Sequence, residues 1–228
     1  EAMAATLPIV LILAMVVLAM VPVLYEWTDA SKVAADPLLQ QKSSWLDQTW
    51  FTIRTVICGA FWLLFAWLIV GGSRRQDSAG APSQKRRLAG FSGIFLAVFA
   101  ITFTVVSIDW VMSLEPHWFS TVFALYNFSG LFLGGLAAIG VLVILLRRLG
   151  PLDGIVNAEH LHDLAKLTFS FSVFWAYIWF CQYMLIWYGN IPEETSYFIR
   201  RQEGAWGVLF VVNLFVNWII PFLILLPR

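Results

Sequence analysis

Charge is scarce in this chain. Of its 228 residues only 12% are Asp, Glu, Lys or Arg, about half the roughly 25% of water-soluble proteins. Fourteen basic residues balance fourteen acidic ones, so there is no basic surface of the kind that binds nucleic acid. Cysteine is nearly absent. Cys58 and Cys181 both fall in apolar runs, where a free thiol behaves as a small hydrophobe, and two are too few for an iron–sulfur cluster with its four ligands. No P-loop, GxGxxG fingerprint or zinc-type ligand spacing occurs. What the chain has instead is 60% hydrophobic residues, 12 Trp, 19 Phe and a mean hydropathy of +0.79. No single water-soluble core absorbs that composition. The sequence is that of an integral membrane protein.

Six stretches have the roughly 20 apolar residues needed to cross a bilayer, near 4–24, 50–71, 88–108, 123–146, 167–188 and 205–226. They lack the alternation of barrel strands, and only helices or closed barrels span lipid. The expected fold is therefore all-α, a polytopic helical bundle forming one transmembrane domain over 1–228. The opening stretch is too long, and too poor in basic residues at its start, for a signal peptide. The chain starts at Glu1 and ends in the apolar run 222–226, so a piece of a longer polypeptide is expected.

If the spans alternate, one side carries Arg74, Arg75, Lys85, Arg86, Arg87, Arg147, Arg148, Lys166 and Arg228, and the other Lys32, Lys42, Arg54, Arg200 and Arg201. The positive-inside rule then puts the basic loops 72–87 and 147–166 in the cytoplasm. Trp27, Trp45, Trp50, Trp110, Trp118, Trp187 and Trp206 map near the outer ends of spans. An interfacial aromatic belt accounts for them, and a docking surface for a partner subunit does as well. Gly130 and Gly134, four apart in the fourth span, form a small-residue pair that lets another helix approach closely.

The three histidines do not read as haem ligands. His117 follows the third span while His160 and His162 precede the fifth, so about 30 Å of bilayer core separates the two groups. The outer run Asp109–Thr121 holds Asp109, Glu115 and His117 among Trp110, Trp118 and Phe119. Two carboxylates and an imidazole beside aromatics are costly near lipid and suit proton exchange. An ordinary solvated turn, broken by Pro116, is the other reading. The second cluster opens span five. Glu159, Asp163, Lys166 and Ser170 recur every three or four residues, a single helical face, with His160 and His162 among them. Asn157 as N-cap and acids in the first turn supply a complete structural explanation. The functional reading is a proton entry continuing through Thr168, Ser170 and Tyr177 toward Gln182. Deeper polar groups are sparse: Asn213 and Asn217 share a face of span six, and Arg54, one turn into span two, needs a carboxylate such as Asp109 or Glu115.

The runs DWVMSLEPHWFST (109–121) and EHLHDLAKLTFSFSVFWAYIWFCQYMLIWYGNIPEET (159–195) resemble the membrane subunits of bacterial alternative complex III. These are polysulfide-reductase-like (NrfD-type) chains of a quinol:cytochrome c oxidoreductase, and the likeness is greatest to the F-type subunit. The motifs cover about a fifth of the chain by this reading. The resemblance implies a respiratory electron-transport complex in the bacterial inner membrane, with a quinol-binding NrfD-like subunit, an iron–sulfur subunit and haem c subunits as partners beside lipid. It implies no redox centre in this chain and a role in assembly and proton movement. Family members have about ten spans, against six counted here. Carried over, Asp109, Glu115 and His117 belong to a periplasmic polar site, and Glu159, His160, His162, Asp163 and Lys166 to a cytoplasmic one, two half-channels with Tyr177 and Gln182 between them.

Three functions are thus expected in competition. The first is a cofactor-free subunit supporting assembly and proton translocation. The second is a quinone-binding chain, with Glu115, His117 and Tyr126 flanking Trp110, Trp118 and Phe119, because quinol oxidation needs a proton acceptor. A secondary transporter or scaffold is the third; Pro116 is the one helix break noted and no inverted repeat is evident.

Overall fold

The computed structural model describes residues 4–79 and 82–226. Arg228 and the side chain of Lys85, both assigned above to the basic side, lie outside the described residues. Among these residues every regular element is helical. Five helical stretches are long and apolar enough to cross a membrane: Gln48–Gln76, Arg86–Leu114, Phe123–Arg148, Ala158–Gly189 and Gly204–Leu225. The chain is a multi-pass, all-α membrane protein. The expected span over 4–24 is not among the five. A 13-residue helix, α1 (Leu7–Ala19), stops at Met20, and a short α2 (Val21–Leu24) follows. Pro22 is the reason: it has no N–H to donate and its ring crowds the carbonyl four residues back.

The chain divides into two compact units, Glu1–His117 and Trp118–Arg228. In the first, two short helices, α3 (Ala30–Ala35) and α4 (Pro37–Lys42), precede the long α5 (Gln48–Ala79) and α6 (Pro82–Val106). Aspartates start both short helices. Asp29 accepts from the Ser31 N–H at 2.9 Å and Asp36 from the Leu38 N–H at 2.8 Å, each satisfying a backbone donor that the first turn leaves open. Asp47 does the same for α5, accepting from the Trp50 N–H at 3.0 Å. Val21, Tyr25, Trp27, Leu39 and Phe51 form one buried cluster, with Trp110 packed on it. Residues 21–46 thus form a cap over one end of the α5–α6 pair. The aromatic contacts continue along the pair through Phe65, Phe95 and Phe99, with ring centroids 5.5 Å apart.

The second unit pairs α7 (Phe123–Arg148) with α8 (Ala158–Gly189). Arg147 and Arg148 close α7, where cations suit the helix dipole. Asn157 caps α8 reciprocally with His160: the His160 N–H donates to Asn157 Oδ1 at 3.0 Å, and the Asn157 N–H to His160 Nδ1 at 3.3 Å. Asn190, at φ 46°, ends α8 in the left-handed conformation. The short α9 (Pro192–Gln202) follows, then α10 (Gly204–Leu214), a π turn over Phe215–Ile219 and α11 (Ile220–Leu225). Gly204 takes φ 55°, and a Cβ on Gly207 would sit 2.5 Å from the Gln202 carbonyl oxygen, so the α9–α10 corner requires glycine. Of the expected small-residue pair, a Cβ on Gly130 would meet the Trp175 ring at van der Waals distance, while one on Gly134 would meet nothing within 4 Å.

Candidate functional site

In the first unit the polar residues gather where α6 ends. α6 passes into a π turn, Ser107–Val111, and then a 3-10 turn, Met112–Leu114. A π turn inserts one extra residue and redirects the side chains around it. Here it turns Asp109 inward, leaving it 1% exposed. The carboxylate meets Arg54 of α5 through two bonds: Nε donates to Oδ2 at 2.6 Å and an Nη to Oδ1 at 3.2 Å. The Trp45 indole donates to Oδ1 at 2.8 Å. Arg54 also donates to the Trp45 carbonyl at 2.9 Å and stacks on its ring, 4.3 Å from the centroid. Fork geometry of this kind is the strong form of the ion pair. Of the two candidate partners for Arg54, the structure joins it to Asp109.

The cap binds the same turn through its backbone. Tyr25 donates to the Trp110 carbonyl at 2.9 Å and Trp27 to the Ser113 carbonyl at 3.2 Å. Trp110 in turn donates to Thr55 at 3.0 Å. Burial, and then the nearby Asp109 carboxylate, push the Tyr25 phenol up to about 12. Beyond the turn, Lys42 donates to the Pro116 carbonyl at 2.6 Å, and His117 hydrogen-bonds Asp36. The bond from His117 and the N–H of Leu38 hold the Asp36 carboxyl below its ordinary value. Burial acts the other way on Lys42, lowering its ammonium pKa. Glu115 is half-buried at the end of the 3-10 turn. Asp109, Glu115 and His117 therefore occupy one stretch, yet Asp109 faces Arg54 inside the unit while His117 faces Asp36 at its surface.

In the second unit the expected stripe on α8 divides. Glu159, His160, His162, Asp163, Lys166, Ser170 and Tyr177 are all exposed. His160 serves the cap, and Lys166 pairs with Asp163 at 3.2 Å. Thr168 and Ser170 donate back to carbonyls one turn earlier, a common way for a helix to absorb a hydroxyl. Gln182, by contrast, is buried and donates to Ser120 at 3.2 Å. Tyr177 and Gln182, five residues apart, lie on different sides of α8, so the structure does not bring the exposed stripe and Gln182 together.

Gln182 belongs instead to a pocket of about 460 Å³ that also takes in Tyr126, Trp179, Tyr197, Arg201, Asn213 and Asn217. Asn217 sits on the second π turn and donates to Asn213 Oδ1 at 2.5 Å, while Ser172 donates to the Asn217 carbonyl at 2.6 Å. Trp175, Trp179 and Tyr183 stack in series along α8, and Tyr197 lies between Trp118, at 3.9 Å, and the Arg201 guanidinium, at 3.4 Å. The pocket has the proportions of a small-molecule site, aromatic walls with a few convergent polar groups. Sequence reasoning noted Tyr126, Gln182 and the two asparagines separately and missed Tyr197 and Arg201. Their signal was the short amphipathic stretch 192–202 between two spans. The aromatic set proposed around a quinone is divided: Trp110 stacks on Phe51 in the first unit, Trp118 on Tyr197 in the second, and Phe119 is exposed.

Tryptophans expected to share one role also divide. Trp27 and Trp118 are buried, whereas Trp45, Trp50, Trp187 and Trp206 are exposed. Among the described residues no three of His, Cys, Asp and Glu come together as a metal-binding group. No protein-family model matches the sequence, and no curated protein aligns with it significantly.

Proposed function

We propose that this chain is an integral membrane subunit of a quinol-oxidising complex of the alternative complex III type. It sits in the bacterial inner membrane with loops 72–87 and 147–166 cytoplasmic, and it works beside an NrfD-like quinol-binding subunit, an iron–sulfur subunit and haem c subunits that carry the electrons. Its own part is assembly and proton handling. The observation that supports this reading is the junction of resemblance and geometry at 109–121. One of the two runs that resemble the family is the one whose π turn buries Asp109 against Arg54 and Trp45. A buried carboxylate–guanidinium pair at a helix end beside lipid is costly to maintain and characteristic of functional membrane sites.

Purifying the native assembly in mild detergent tests the reading. Haem c and iron–sulfur chains should travel with this chain in a complex that oxidises quinol; a chain that purifies alone, without a chromophore, refutes it. The proton role is tested by Glu115→Gln and Asp163→Asn, one at a time. An unchanged ratio of protons to electrons in both removes it.

A second reading, that this chain itself binds quinone, is favoured by the pocket of Tyr126, Gln182, Asn213 and Asn217. Amide and phenol donors in an aromatic slot match the two carbonyl oxygens of a quinone ring. Photo-crosslinking with an azido-quinone decides this, since labelling confined to another subunit eliminates it.

A further inference from the structure

The other end of the α5–α6 pair, far from Asp109 along both helices, carries a second pocket. It encloses about 490 Å³ and is lined by Trp67, Leu68, Gly71, Arg75, Arg87 and Phe91, among others. Its two charged residues come from different helices at the same level. Arg75 is next to the last residue of the span Gln48–Gln76, and Arg87 is next to the first of Arg86–Leu114. Both guanidinium groups therefore stand where a bilayer changes from hydrocarbon to headgroup. Below them the lining is apolar. Trp67 lies eight residues deeper on α5, about 12 Å at 1.5 Å per residue, and Phe91 lies one turn deeper on α6. Between them the wall is open at Gly71, where a Cβ would meet nothing within 4 Å. The segment 72–87 holds five basic residues, Arg74, Arg75, Lys85, Arg86 and Arg87, against the single acid Asp77.

We infer that the slot between Arg75 and Arg87 binds an anionic phospholipid. The phosphate lies between the two guanidinium groups, and the first part of an acyl chain runs down past Gly71 between Trp67 and Phe91. Three features select this occupant. Arginine presents a planar fork that matches phosphate oxygens two at a time. The level of the charges is that of lipid headgroups, and basic pockets between transmembrane helices are favourable sites for them. The apolar slot beneath gives a lipid a purchase that a soluble anion lacks. A zwitterionic lipid carries the same phosphate with a cation attached, so it loses the electrostatic advantage in a region of net positive charge.

The test is native mass spectrometry of the protein purified in mild detergent, titrated with phosphatidylglycerol or phosphatidylcholine at equal concentrations. The parent should retain phosphatidylglycerol preferentially. Arg75→Gln with Arg87→Gln should weaken that retention about thirtyfold, which is about 2 kcal/mol at 1.4 kcal/mol per decade, and leave phosphatidylcholine unchanged. Arg75→Lys with Arg87→Lys should recover part of the loss, because charge returns without the fork. Gly71→Leu fills the slot without touching either arginine and should weaken retention too, so the inference can still fail if the glutamine variant does not fold. Equal retention of the two lipids by the parent overturns it. So does unchanged phosphatidylglycerol retention in a folded glutamine variant, or displacement of the lipid by equimolar inorganic phosphate.

Discussion

Replacing Asp109 with asparagine keeps the shape of the side chain and removes its charge. Trp45 can still donate to an amide oxygen, so the loss falls on Arg54. That guanidinium would keep its bonds to the Trp45 carbonyl and to the retained oxygen, and lose the 2.6 Å Nε bond and the opposing charge of a side chain that is 2% exposed. Breaking a buried ion pair by removing one partner costs about 3–5 kcal/mol, because the other charge is left uncompensated. The Arg54 side chain is itself 17% exposed, and water reaching it should hold the loss to about 3 kcal/mol. For a chain of this size that is a fall in Tm of roughly 6–12 °C. Arg54→Gln made in the Asp109→Asn background places two neutral amides opposite each other. Since an ion pair replaced as a whole is often nearly neutral in stability, the double variant should regain most of the loss. Thermal unfolding of the detergent-solubilised protein, followed by tryptophan fluorescence, measures all four members of the cycle. A coupling of more than about 2 kcal/mol is expected for residues in one hydrogen-bonded network. An Asp109→Asn loss below about 1 kcal/mol, or a double variant as unstable as the two singles summed, would show that Arg54 and Asp109 do not hold the turn in the way described.

The remaining predictions concern single features. Gly207→Ala forces a methyl against the Gln202 carbonyl and should destabilise the α9–α10 corner by about 1–3 kcal/mol, while Gly134→Ala, in open space, should have little effect; equal losses in the two would contradict the geometry. The Asp36 carboxyl is held low by His117 and by the α4 backbone, so its support for the cap is complete above the ordinary aspartate value near 4 and disappears as pH falls through the lowered one. Backbone hydrogen exchange at 37–42 should therefore rise only in strong acid, and an onset at neutral pH would contradict this. Tyr25, pushed up to about 12, loses its contribution as pH climbs from about 10, the free tyrosine value, through its own. Its phenolate absorbance should emerge only well above the free tyrosine value, and Tyr25→Phe should reduce that late component.

What could be read from the sequence was what depends on neighbours along the chain. Hydropathy over about 20 residues identified five of the six spans, because a helix in lipid satisfies its backbone internally and needs only an apolar exterior. Asn157 was recognisable as the cap of α8 from its place before the acidic first turn, and the bond between Asn213 and Asn217 follows from their spacing of four on a helix. The first stretch is not among the five because its apolar composition is continuous while Pro22 interrupts its hydrogen bonding. Asp29 and Asp36, each followed by a short helix, carried a cap signal of the same local kind.

Tertiary structure decided everything that joins distant segments. Arg54 had two carboxylates to choose from by sequence, and the choice of Asp109, 55 positions away, rests on a π turn that no local pattern announced. His117 reached Asp36 across 81 positions, which left it bonded at the surface rather than beside Asp109. The α8 stripe was correct as periodicity and yet ran along an exposed side, because burial of Gln182 depends on where α7 and α9 pack. Periodicity fixes which residues share a face; only packing determines which face is covered, since that depends on partners remote in sequence and on the angle at which their helices meet.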